Sequence, residues 1–204
     1  MRSCVRFSSG GSGSFVSKNG LILTNHHVGA IAIYNLSSQE NDLMTHGFYA
    51  ATQEQEIKCP NMYVDQLISI EDVTERIKAR LSPKMTMAEQ EVARKVVIAE
   101  IEKEAADQTH LQPQVVTLYQ GGKYHLYLYQ RYTDIRLVMA PEKAIAFFGG
   151  DPDNFEFPRF DLDMCFFRAY DGGRPVQSEH YLKWSPQGPQ EGGGPIRCRP
   201  SWLN

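Results

Sequence analysis

Two stretches of this 204-residue chain carry side chains that could do chemistry. The first is Thr24-Asn25-His26-His27, which ends an apolar run Leu21-Ile22-Leu23. An imidazole titrates near neutrality, so a histidine held at the end of a strand can accept a nucleophile's proton and return it to a leaving amine. Peptide-bond hydrolysis with His27 as general base is the first hypothesis. Neighbouring side chains on an extended segment point to opposite sides, so only one of the two histidines should face a given cleft, and His26 reads as structural. The second stretch runs from Phe147 to Asp163 and carries Asp151, Asp153, Asp161 and Asp163 among glycines, prolines and aromatics. Asp151 and Asp153, beside glycine and proline, read as turn residues. Asp161 and Asp163 enter an apolar strand, where an unpaired carboxylate is costly to bury, so one of them should have a partner.

The elements that must position these groups are short. Residues 1 to about 36 read as strands, with Asn19-Gly20 favouring a tight two-residue hairpin before the strand that ends at the histidines. From about 37 to 70 the chain reads as a polar connection with strand-like pieces such as Met62-Tyr63-Val64. From Glu71 to about Ala106 the period becomes helical, broken at Ser82-Pro83 and restarted at Thr86, whose capping box Glu89 completes. Ala93, Val97, Ile101 and Ala105 make an apolar stripe, with Glu91 and Lys95 paired outside it. After Pro113 β-formers return at 115–119, 124–132 and 135–139, with Gly121-Gly122 as a hairpin, and a further strand covers 164–170. Tyr127 and Tyr129, alternating with Leu126 and Leu128, read as core or sheet surface, since a base-stacking platform would need basic residues interleaved.

Composition narrows the function classes. Hydrophobic content of 42% and charged content of 22% are those of an ordinary globular chain. A formal net charge of -3 with scattered lysines and arginines offers no field for nucleic acid. No apolar run reaches the length needed to span a bilayer, and the polar start lacks the core of a secretory signal. The four cysteines, Cys4, Cys59, Cys165 and Cys198, form no Cys-x-x-Cys pair, and no His-Glu-x-x-His occurs, so no metal and no cofactor is expected.

A resemblance rests on several islands in a fixed order. These are Gly13-Ser14-Phe15-Val16-Ser17, Asn19-Gly20-Leu21-Ile22-Leu23-Thr24-Asn25-His26-His27, a helical interlude, Arg136-Leu137-Val138, the Phe148-Gly149-Gly150-Asp151 to Asp163 segment, and Phe167-Arg168-Ala169-Tyr170. From about Val5 to Gly192 this resembles the dipeptidyl-peptidase 7 and 11 family of serine exopeptidases. The resemblance implies a mainly β chain with a helical insertion, the first barrel of a chymotrypsin-like double-barrel serine peptidase, incomplete here. It implies a partial peptidase domain over 1–191, an insertion over about 71–107, and an irregular tail over 192–204. His27 falls on the family's general base and Asp163 on the aspartate that orients it, with Asp161 on a position that is not catalytic there. A carboxylate accepting the Nδ1 proton fixes the tautomer that leaves Nε2 free and stabilises the imidazolium that follows. Asn154 and Phe155 fall on residues that hold the substrate's ammonium group, through an amide carbonyl and an aromatic face.

The sequence departs from that family in places. Phe155 stands where the family has tryptophan, a better cation-π partner. Val28 and Gly11 stand where the family has cysteines, so no disulfide joins those positions. Phe160-Asp161-Leu162 replaces a common His-Thr-Gly. By the resemblance, the nucleophilic serine and oxyanion hole belong to a second barrel that this chain does not reach, and the chain alone is expected to be inactive. Ser12 and Ser14 precede the histidine in a glycine-rich strand and are not read as nucleophiles. The implied partners are peptides with a free N-terminus, with no nucleic acid and no membrane, and a homodimer in the full-length protein. The implied location is secreted or periplasmic. Two other readings stay open: an HtrA-type trypsin-like endopeptidase, which shares Leu-Thr-Asn-x-His, and a non-catalytic peptide-binding module.

Overall fold

The computed structural model describes residues 2–147 and 161–188. In chain order the strands are β1 (Cys4–Phe7), β2 (Ser12–Phe15), β3 (Leu21–Thr24), β4 (Phe48–Tyr49), β5 (Ile57–Lys58), β6 (Val64–Asp72), β7 (Gln112–Leu118), β8 (Lys123–Tyr132), β9 (Asp134–Ala140), β10 (Cys165–Asp171) and β11 (Arg174–Pro175). The helices are α1 (His26–Leu36), α2 (Leu43–His46), α3 (Thr74–Lys78), α4 (Met87–Thr109) and α5 (Lys143–Ala146). The chain is mainly antiparallel β with few helices. The described residues divide into two compact units, one of 2–66 with 132–147 and 161–188 and one of Leu67–Arg131.

In the first unit the strands lie in the order β4-β9-β10-β3-β2-β1-β6, with β5 also on β9 and β11 on β10. Every pairing recorded there is antiparallel. Among the described residues no pairing joins β6 back to β4 or β5, so the expected barrel is not closed by hydrogen bonds. Alternation does the packing: in β1 and β2, Val5, Phe7 and Phe15 are buried, and Ile22 of β3 and Phe167 of β10 join them in one core with Ile33 and Leu137. One buried carboxylate is fully engaged: Glu56 accepts from Arg168 Nε at 2.8 Å and from the Tyr170 hydroxyl at 2.7 Å. Burial, then that bond, pushes the Tyr170 hydroxyl up to about 12.

Residues 26–36 correct the sequence reading, because they form a helix where strand was expected. Val28, Ile31, Ile33 and Tyr34 are β-formers by type, yet His26, Gly29, Ala32 and Ile33 are the buried positions, a spacing of three and four that belongs to a helix packed on a sheet. The hairpin before it also differs. Val16 N–H donates to Leu21 O at 2.8 Å, closing a four-residue loop in which Ser17 Oγ accepts from Asn19 N and Leu21 N.

The second unit holds the helical interlude. β6 runs on to Asp72, so the helical segment begins at Thr74 and not at Glu71. α4 starts at a Thr86 N-cap with both bonds of the capping box to Glu89 and ends beyond the expected Ala106, at a left-handed His110. Its Val97, Ile101 and Ala105 meet Val73, Ile77, Tyr124 and Leu126 in a separate core. Glu91 and Lys95 pair at 2.9 Å on the outside. Tyr127 and Tyr129 are buried and stacked, core residues and not a nucleic-acid platform.

Positions 11 and 28, where the family resemblance expects cysteines, face each other as Gly11 and Val28. A Cβ at Gly11 would lie 2.6 Å from Val28 Cγ2, and its φ is +86°. Gly11→Ala is therefore expected to destabilise the chain by roughly 2–4 kcal/mol, left-handed backbone cost plus overpacking. Gly10→Ala, at φ +85° with open space, should cost only about 1–2 kcal/mol. Denaturant melts check both, and Val28→Ala should recover part of the Gly11→Ala loss but none of the Gly10→Ala loss. Glu56→Ala, which strands a largely buried Arg168, is expected to cost about 3–5 kcal/mol in the same melts.

Candidate active site

The site is built on the register of β3 against β10. Those strands pair antiparallel from Leu21↔Arg168 to Thr24↔Cys165. Asp163 stands two residues before Cys165 and His27 three residues after Thr24, so residues 136 positions apart in sequence arrive at one place beyond the end of that ladder. On one side β3 passes through Asn25 into α1. On the other, Leu162 N–H donates to Ile145 O at 2.8 Å, which ties the residue before Asp163 to α5.

Asn25 is the N-cap of α1, with φ -74° and ψ 149°, but its side chain makes no capping bond. The carboxylate of Asp163 occupies that end of the helix instead. Its Oδ1 accepts the backbone N–H of His27 at 3.0 Å, and its Oδ2 lies 2.6 Å from His27 Nδ1. An ionised carboxylate only accepts, so Nδ1 carries a proton, and in the neutral imidazole the second nitrogen, Nε2, is then the acceptor. Asn25 Nδ2 donates to the same Oδ2 at 3.0 Å and to the Asp163 backbone carbonyl at 3.1 Å. The positive end of the helix dipole adds to the attraction. The Asp163 side chain is 9% exposed and the His27 side chain 60%, so the carboxylate is sheltered while the imidazole is presented to solvent.

α1 seats closely on β10 to make this geometry. A Cβ at Gly29 would meet Cys165 Sγ at 2.8 Å and the Phe167 ring at 2.9 Å, so glycine permits the approach. Cys165 Sγ donates to Asn25 O at 3.3 Å. Burial, with the charge of Asp163 adding to it, raises the Cys165 thiol above its ordinary range, which keeps it a protonated donor and not a nucleophile. Burial pushes Cys59 up to about 12 in the same way.

His26 is buried, in line with a structural role, although helix geometry and not strand alternation separates it from His27. Burial lowers its pKa from 6.5, against the opposing pull of Asp163 and a hydrogen bond to the Pro141 backbone. Its Nε2 has no hydrogen-bond partner among the described residues. Of the two strand-entry aspartates, Asp163 is the one engaged by His27, whereas Asp161 Oδ2 is buried with no partner among the described residues. Asn154 and Phe155 lie outside the described residues. Ser12 and Ser14 lie in β2, where the Ser12 carbonyl accepts from Thr24 Oγ1 at 2.8 Å. The residue that sequence reasoning passed over is Asn25, because an asparagine before a helix carries only the generic signal of a cap. Among the described residues there is no cluster able to hold a metal ion and no helix long and apolar enough to cross a membrane.

The Peptidase S46 family profile matches residues 1–196. The chain belongs to the Peptidase S46 family. Among S46 relatives, it is 32% identical over 198 residues to a dipeptidyl-peptidase 7 of Capnocytophaga gingivalis, covering 92% of this chain and 28% of that protein. It is 33% identical over 196 residues to an Asp/Glu-specific dipeptidyl-peptidase of Flavobacterium psychrophilum, covering 91% of this chain and 28% of the other. In three dimensions it is similar to DPP11 of Porphyromonas endodontalis in complex with the dipeptide Arg-Asp, with a TM-score of 0.80, 29% identity, and coverage of 92% of this chain and 29% of that one. The chain thus spans a little over a quarter of the length of these relatives.

The buried His26 gives a pH dependence with a definite sign. Its folded-state pKa lies below 6.5, so the unfolded chain takes up the proton first as pH falls. Its stabilising neutrality is complete above 6.5 and is lost as pH drops from there through the folded value. Thermal melts from about pH 7 to about pH 5 should show falling stability, and His26→Gln should flatten that slope.

Proposed function

We propose that the protein carrying this chain is a serine-type dipeptidyl peptidase that releases dipeptides from peptide N-termini. The observation that supports this best is the 2.6 Å contact of His27 Nδ1 with Asp163 within a Peptidase S46 chain. In this reading His27 Nε2 takes the proton of a serine hydroxyl as that oxygen attacks the scissile carbonyl. The imidazolium so formed is stabilised by Asp163 and then returns the proton to the leaving amine. The acyl-enzyme is opened by water through the same base in the second half-reaction. The serine and the oxyanion donors are assigned to the part of the protein that the S46 relatives have beyond this length. Asn154 and Phe155 are assigned to the substrate's free ammonium group, the amide carbonyl accepting from it and the ring face attracting it. We assign the enzyme to a secreted or periplasmic location and, at full length, to a homodimer, both on the family resemblance.

The test is an assay of the full-length protein on fluorogenic dipeptide substrates. Turnover should be abolished by a fluorophosphonate and by N-acetylation of the substrate. Asp163→Asn should lower kcat by about 10⁴, because an amide can donate to Nδ1 and favour the wrong tautomer. Efficient cleavage of N-acetylated peptides would replace this reading with an endopeptidase. Full activity of His27→Ala would remove His27 from the mechanism.

A further inference from the structure

We propose that Asn25 is a positioning residue, whose side-chain amide clamps Asp163 in the one orientation that serves His27. The inference rests on reading His27 and Asp163 as the base and its orienter. Three observations carry it. First, Asn25 stands at the N-cap of α1, where an asparagine side chain ordinarily accepts a backbone N–H of the first turn, yet it makes no such bond. Second, its amide is turned to Asp163, donating to Oδ2 at 3.0 Å and to the backbone carbonyl at 3.1 Å. Third, the capping vacancy is filled by Asp163 itself, whose Oδ1 accepts His27 N–H at 3.0 Å. The two residues have exchanged duties.

The exchange has a chemical logic. Among the described residues Asp163 would otherwise hold its carboxylate through His27 alone, by its backbone N–H and its ring, and the carboxylate could pivot whenever the imidazole moved. A bond to a third donor, which also grips the Asp163 main chain, sets the carboxylate plane independently of the ring. Both atoms that Asn25 meets on Asp163 are acceptors, so the role demands two N–H donors from one short side chain. Among short side chains only asparagine supplies them. Aspartate has none and would set a second carboxylate against Oδ2, while serine has one hydroxyl donor and reaches one acceptor at most.

This separates positioning from capping. Asparagine, aspartate and serine are nearly equal as N-caps, whereas alanine is much poorer. If Asn25 were only a cap, Asn25→Asp and Asn25→Ser would behave as wild type and Asn25→Ala alone would suffer, and that in stability. If Asn25 positions Asp163, Asn25→Asp is the most damaging for turnover even where the helix is as stable as before.

The experiment compares the three variants with wild type in the full-length protein, by thermal melts, by dipeptide turnover, and by the low-field proton resonance of the His27 Nδ1–H···Asp163 bond. For Asn25→Ala we expect kcat to fall roughly 10 to 100 fold with KM nearly unchanged, the loss that a small displacement of a reacting group brings. For Asn25→Asp the fall should be larger, with the melting temperature lowered as well by the second carboxylate set against Oδ2, and Asn25→Ser should lie between wild type and alanine. The low-field resonance should broaden or disappear in Asn25→Ala and Asn25→Asp. Wild-type kcat in Asn25→Asp and Asn25→Ser, or a low-field resonance unchanged in all three variants, would overturn the proposal. The resonance is read without turnover, so a protein that cleaves no dipeptide would refute the peptidase reading while still reporting whether Asn25 holds Asp163.

Discussion

The carboxylate of Asp163 at the first turn of α1 is the interaction on which the rest of the site depends. A single side chain accepts the backbone N–H of His27, the ring N–H of His27 and the amide of Asn25. It therefore fixes the main chain and the imidazole of His27 at once. Such charge-assisted bonds are stronger than neutral ones, and their strength rises with the shelter that leaves the Asp163 side chain 9% exposed. The imidazole is presented to solvent while the carboxylate that holds it is sheltered.

Holding that carboxylate in place explains features that look unrelated. The β3 to β10 register must carry position 163 to the end of α1, and a slip of one residue would turn Asp163 to the other face. Gly29 lets the helix settle on Cys165 and Phe167, and the Cys165 thiol adds a bond to Asn25 O. The tight meeting of Gly11 with Val28 packs the glycine-rich start of β2 against the residue after His27. The first unit's hydrophobic core supplies the stiffness, with Phe15, Ile22, Ile33, Leu137 and Phe167 all essentially inaccessible. A core so fully buried tolerates little rearrangement, which is the condition for holding the His27–Asp163 geometry.

The chain matches the Peptidase S46 family over 1–196, and its mainly antiparallel architecture superposes on DPP11 at a TM-score of 0.80. The identity of about a third to its relatives leaves room for local replacement. Positions 11 and 28 show what such replacement looks like: glycine and valine in close contact where the resemblance places cysteines. Here dispersion and excluded volume join the two segments, with the backbone of Gly11 held in a conformation that side chains resist.

Much of this was legible in the sequence, and the reason is locality. Strands between 4 and 24 and between 112 and 140 follow from runs of β-formers and, in part, from alternation, and the capping box at Thr86 and the stripe Val97, Ile101, Ala105 follow from helical period, because each signal lies within one element. The chemistry of His27 could be read from its residue type, and its partnership with Asp163 from motif resemblance. Two things could be decided only by tertiary structure, and for a third it supplied the reason. Residues 26–36 are helical against their β-forming composition, because one face is buried on the sheet and burial outweighs propensity. The resemblance had already chosen Asp163 over Asp161, and the structure gives the reason, because strand register and not sequence distance sets which carboxylate arrives at His27. Asn25 faces Asp163 and not its own helix, because a carboxylate delivered from another strand competes for the same donors, and no pattern within the chain records a bond between segments 138 residues apart.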